Sequence, residues 1–145
     1  MLLNQTNRNG FTLLEVLFVL TTLSIILLLF PPINMDAIEK KQEKQFLETF
    51  QFDVLYVQSL ALNTDKKAFI RLYKDHYKIF QGTNKTIAER FYPSGMLIDP
   101  RGNVDINFNE NGTFLYPRTI KITTKHAVYD AVFQLGKGRF YIAEK

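Results

Sequence analysis

From Phe11 to Phe30 the chain is almost devoid of polar positions. The only charge is Glu15, and the polar remainder is Thr12, Thr21, Thr22 and Ser24. As a helix rising 1.5 Å per residue, a run of this length reaches about 30 Å, the thickness of a bilayer hydrocarbon core. The pattern predicts a membrane-spanning helix over residues 11–30, preceded by a polar segment rich in Asn and Gln over residues 1–10. A carboxylate at the middle of such a helix costs roughly 2.5–3.5 kcal/mol, and less near an end, so Glu15 is expected to find a partner. Pro31 and Pro32 follow the run. Proline removes a backbone donor and clashes with the preceding turn, which predicts a kink or break there.

Beyond the prolines the apolar period becomes helical. Ile38, Phe46, Phe50, Val54, Val57 and Ala61 recur at three- and four-residue steps, and Leu47, Leu55 and Leu60 widen the stripe. This predicts an amphipathic continuation of the helix over residues 31–62, its apolar stripe strongest from Phe46 onward. Glu39, Lys40, Glu43, Lys44 and Glu48 are assigned to a solvated face. Asn63-Thr64-Asp65 supplies turn chemistry.

From there the texture changes to short runs rich in Phe, Tyr, Ile, Val and Thr between turn residues, which reads as strands. Residues 68–73 and 77–81 form an expected hairpin about Lys74-Asp75-His76. Residues 86–92 form a third strand, closed by Tyr92-Pro93-Ser94-Gly95, and Asp99-Pro100-Arg101-Gly102 marks a further turn. Val104, Ile106 and Phe108 alternate with Asp105, Asn107 and Asn109, as in a half-buried strand. Asn111-Gly112 turns the chain into residues 113–116, and Pro117 breaks that run. Residues 118–124, 127–135 and 139–143 complete the set, the last two joined at Gly136-Lys137-Gly138. The expected fold class is α+β: a long N-terminal membrane-spanning helix with an antiparallel β-sheet packed on its C-terminal half, the β domain occupying residues 63–145.

Composition narrows the picture. At 145 residues the chain holds one globular domain besides the apolar segment. Lys+Arg 18 against Asp+Glu 14 gives a formal charge of +4, a mild basic excess that suits loose association with anionic surfaces without requiring it. There is no cysteine, so disulfides, thiolate zinc ligands and a thiol nucleophile are all excluded. Positive residues flank the apolar run on both sides, Arg8 before it and Lys40, Lys41 and Lys44 after it, so charge does not set its orientation.

Chemistry is sparse. His76 and His126 lie in different strand–turn contexts without metal-ligand spacing, and both read as turn or surface residues. Asp99, Asp105 and Glu110 lack the pattern of a calcium loop, and Gly136-Lys137-Gly138 lacks the helix a phosphate cradle needs. No catalytic residue, cofactor or metal is expected, and an anchored enzyme is disfavoured. Arg118, Lys121, Lys125, Lys137 and Arg139 are interleaved with Tyr116, Tyr129, Phe140 and Tyr141. Cations along a backbone track with aromatic platforms are what single-strand nucleic-acid binding needs. Period-two strands with aromatics inside and basic residues outside give the same list, so both readings stand.

Gly10-Phe11-Thr12-Leu13-Leu14-Glu15 at the head of the apolar run resembles the class III signal of type IV pilins and pseudopilins. In that family a prepilin peptidase cuts after the glycine and N-methylates the new terminus. The resemblance implies cleavage between Gly10 and Phe11, methylation of Phe11, and pairing of Glu15 with the N-terminal amine of a neighbouring subunit during filament assembly. Residues 1–10 are then a leader peptide and residues 11–30 an anchor among membrane lipids. An ordinary secretory signal fits less well, because its apolar core is shorter and ends at a small-residue site.

Downstream, Ile106 to Thr113 resembles the Phe-Asn-x-x-Gly segment of minor pseudopilins of the GspH type. Val132 to Phe140 is similar to the end of ComGD-type competence pseudopilins. The resemblance implies a subunit in the cytoplasmic membrane, single-pass with its C-terminal domain outside, that later enters a cell-surface, wall-spanning filament. Its partners would be other pilins of that filament and, indirectly, an assembly ATPase and a membrane platform protein, with DNA as a further candidate. The expected function is that of a minor pseudopilin in the uptake of transforming DNA. The alternatives are a type II secretion pseudopilin and a DNA-binding module at the pilus tip.

Overall fold

A computed structural model of the chain describes residues 10–29, 34–63, 67–82, 85–136 and 138–145. The chain divides into two compact units, Met1–Asn34 and Met35–Lys145. The expected leader apart from Gly10, the Pro31-Pro32 kink, most of the turn after Asn63, and Lys137 lie outside the described residues.

The first unit contains α1, Leu13–Leu29. Thr12 caps it: the Glu15 amide donates to the Thr12 hydroxyl at 3.3 Å, satisfying one of the donors that a helix start leaves over. At 17 residues α1 is about 25 Å long. Among the described residues no helix is long and apolar enough to cross a membrane. Phe30, the last residue of the expected span, is outside them.

The second unit is built on α2, Met35–Asn63, as the apolar stripe predicts. Its buried residues are Glu43, Phe46, Leu47, Phe50, Asp53, Val54 and Val57, one face at helical spacing. Ile38 and Leu55, counted in the expected stripe, are exposed. Two members of the buried face are acids, Glu43, expected on the solvated face, and Asp53.

The strands form two four-stranded antiparallel sheets rather than the single sheet expected. The first has the order β3-β2-β1-β5, with β1 at Ala68–Leu72, β2 at His76–Gln81, β3 at Lys85–Phe91 and β5 at Asp105–Asn107. The second has the order β4-β6-β7-β8, with β4 at Leu97–Asp99, β6 at Thr119–Thr123, β7 at Val128–Phe133 and β8 at Phe140–Glu144. The strand β4 was not anticipated, and it is what gives the second sheet its outer edge. The expected strand over residues 113–116 is reduced to one bridge, Phe108 to Phe114, closed by the Asn109 amide on the Thr113 carbonyl at 2.9 Å. His76 opens β2 instead of sitting in the turn.

Register follows from burial. Ile70 pairs with Ile79 on one side and Ile106 on the other, and Ile122 pairs with Ile98 and Tyr129, so one face of each sheet turns to α2. Phe50 is fully buried between the two. Its ring meets the edge of Tyr77 of β2 at 5.3 Å and of Phe140 of β8 at 6.1 Å. Gln58 adds a polar tie, its amide donating to the carbonyls of Gly112 at 2.7 Å and Gly138 at 3.1 Å. Both glycines have positive φ, and a Cβ on Gly138 would collide with Gln58 and the Gly112 carbonyl.

Candidate functional site

The polar groups of α1 are handled within the helix, with one exception. Thr21 donates to the Leu17 and Phe18 carbonyls, Thr22 to Phe18 and Ser24 to Leu20, all between 2.7 and 2.9 Å. Hydroxyls that bond one turn back cost little in an apolar medium. Glu15 stands in the first turn, and among the described residues nothing pairs with its carboxylate. Every residue of α1 is exposed, including Leu14, Phe18, Leu27 and Leu28. Gly10 and Phe11 precede the helix and are exposed. A site at Gly10–Phe11 is therefore accessible, and α1 presents an apolar surface on all sides with a single carboxylate one turn from its start. The sequence Thr12-Leu13-Leu14-Glu15 is also a capping-box pattern, a local signal for the helix start.

The basic residues of the second sheet are placed less uniformly. Arg118 is half-buried, its guanidinium donating to the Asp105 carbonyl at 3.2 Å. Burial holds its pKa below the ordinary arginine value, against the charge of Asp105. Lys121 faces outward in mid-strand, with Asp99 and Asp130 as its cross-strand neighbours. Lys125 pairs with Glu39 at 2.6 Å. Arg139 is exposed, and Lys137 lies outside the described residues. The Phe133 amide bonds the Arg118 carbonyl and the Gln134 amide bonds the Arg139 carbonyl, so these two arginines share one end of the sheet. Lys125 lies at the other end of β6. Of the described members, Lys125 pairs with a carboxylate and Arg118 bonds backbone carbonyls, and they are spread over both ends of β6.

Two buried acids tie α2 to the sheets. Asp53 accepts from the Tyr77 hydroxyl at 2.7 Å and from Arg90 at 3.2 Å. Burial, then Asp53, push the Tyr77 hydroxyl pKa up, so it remains a donor. Glu43 meets His126 Nδ1 at 2.9 Å. This corrects the expectation of a solvated helix face at Glu43; His126 lies in a turn, as expected, but its side chain is mostly covered. Burial raises the Glu43 pKa, but hydrogen bonds from His126 and Thr124 and the His126 charge outweigh it, and the net shift is downward.

A carboxylate with a depressed folded pKa stabilises the fold fully above the ordinary glutamate range. The contribution is lost as pH falls through the depressed value. Glu43→Gln is thus expected to lower the urea midpoint at neutral pH and to converge on the parent as pH falls through the depressed value. Equal midpoints at neutral pH would contradict this role.

No family model matches the chain. Over 141 residues it is 33% identical to the competence protein ComGD of Bacillus subtilis (strain 168), an alignment covering 95% of each chain. Among solved structures, the type IV minor pilin FimU of Pseudomonas aeruginosa (strain PAO1) superposes with a TM-score of 0.56, covering 72% of this chain and 90% of that one. At 16% identity the second likeness carries the fold alone, a pilin-like arrangement of helix and antiparallel sheets. The first extends through both units, from the helix headed by Gly10-Phe11 to the last hairpin, and on it the chain belongs to the family of ComGD-type minor pseudopilins.

Proposed function

We propose that the chain is a structural, non-enzymatic subunit of a competence filament, a part of the machinery that takes up transforming DNA. The observation that carries this reading is the 33% identity to ComGD over 95% of the chain, combined with an apolar helix whose only charge is Glu15. A prepilin peptidase removes residues 1–10, and Phe11 becomes the methylated N-terminus. The apolar segment over residues 11–30 holds the subunit in the cytoplasmic membrane with the second unit outside, and later packs against other pilins. An assembly ATPase and a membrane platform protein act on it indirectly. Glu15 offsets its desolvation by pairing with the N-terminal amine of a neighbour, which sets axial register. The division at Asn34 and Met35 supports this separation of anchor from surface domain.

Gly10 is exposed and its Cβ position is open, so a larger residue there leaves the fold untouched and acts only on the peptidase. Gly10→Leu is expected to leave the chain at its unprocessed mass, while the parent, expressed with a prepilin peptidase, loses residues 1–10 and gains one methyl group. Normal processing of Gly10→Leu would remove the basis for this cleavage site.

A further inference from the structure

Asp36 and Glu39, one turn apart at the start of α2, meet His126 from the turn between β6 and β7. One ligand atom from each lies within 4.8 Å of the others. Nothing in the linear order hints at this, because the histidine is far along the chain from the two acids. Donors around zinc sit about 3.3 Å apart, so small side-chain rotations close the set. The Asp36 side chain is exposed, and that of Glu39 is two-thirds covered.

His126 is the oriented member. Its Nδ1 lies 2.9 Å from Glu43, whose side chain is only 4% exposed. A carboxylate held against one ring nitrogen orients the imidazole and leaves its other nitrogen for a metal, the arrangement by which an outer carboxylate fixes a ligating histidine. Lys125 Nζ lies 2.6 Å from Glu39 Oε2 and is exposed along its stem. It neutralises the site in the absence of a dication and can leave at little cost.

We propose that Asp36, Glu39 and His126 form a zinc site that pins the first turn of α2 to the β6–β7 turn, with Lys125 as the displaceable counter-ion. One imidazole and two carboxylates suit Zn²⁺, whereas calcium and magnesium favour all-oxygen sets. The inference is independent of the filament reading, since it concerns only the second unit.

The test is calorimetric titration of Zn²⁺ into the untagged full-length chain in detergent micelles. The expected result is one ion per chain. Asp36→Asn weakens binding roughly tenfold or more, a loss of the size metal-site substitutions give. Lys125→Ala tightens it, because the competing ammonium is gone. Asp36→Asn changes an exposed side chain, and an unaltered thermal midpoint in EDTA confirms that its fold is intact. Absence of saturable binding to the parent, or binding unmoved by Asp36→Asn, overturns the proposal.

Discussion

Glu15→Ala is expected to insert and to be cleaved normally, yet to be missing from assembled filaments. The hydroxyls of α1 are satisfied by carbonyls of their own helix, so only the Glu15 carboxylate still requires a partner there. Removing it makes the anchor more apolar and insertion easier. The local cost to the helix is small. Thr12 still caps the first turn, and the loss of an acid near a helix N-terminus is worth about 0.3–1 kcal/mol. If Glu15 pairs with a neighbour's amine as proposed, the balance reverses between subunits, because a buried amine left without its carboxylate costs about 3–5 kcal/mol, on the order of a hundredfold or more in assembly. Glu15→Gln should fail in the same way, which separates charge from size. Fractionation of membranes and sheared filaments, with the processed band as control, checks this. Normal incorporation of either variant would contradict the assigned role.

Phe50→Ala is expected to be the most destabilising single change in the second unit. The side chain is fully buried and its ring touches Tyr77 in one sheet and Phe140 in the other, so truncation opens a void where both sheets meet α2. Phe→Ala changes of this kind cost about 3–5 kcal/mol, against a total stability of roughly 5–15 kcal/mol for a domain. For a unit of this size the melting temperature should fall by on the order of 10–20 °C. Phe52, two positions along the same helix, is 71% exposed, and Phe52→Ala should stay within about 0.5 kcal/mol. Thermal unfolding followed by the near-ultraviolet tyrosine signal distinguishes them. A Phe50→Ala variant as stable as Phe52→Ala would show that the two sheets do not share this core.

The helical period from Phe46 to Val57 and the alternation around Ile106 make α2 and most strands legible in the sequence, because each burial pattern repeats locally. The division into two sheets is not legible. It depends on which strands pair over long separations, β5 returning to β1 while β6, β7 and β8 pair among themselves, and no local pattern gives that; the edge strand Leu97–Asp99 is also too short to show a period. The buried acids are hidden for a different reason. Glu43 and Asp53 find their partners at His126, Tyr77 and Arg90, in strands and turns whose placement against α2 no local pattern reveals. One signal was nonetheless available: both acids fall in step with Phe46, Phe50 and Val57, and a charge in register with an apolar stripe points to a buried pair. At the head of the chain the balance was the opposite. Glu15 stands out by position alone, since a carboxylate inside an apolar run is costly, whereas Gly10 and Phe11 are singled out by the resemblance to the pilin signal, and the roles of all three are proposals.

The most direct measurement is DNA uptake and transformation in a naturally competent host lacking this gene, complemented with the parent chain or with Glu15→Ala. The expected result is that uptake disappears in the deletion, returns with the parent and does not return with Glu15→Ala. Uptake unaffected by the deletion would contradict it and leave a pilin-like subunit whose cargo is something other than DNA.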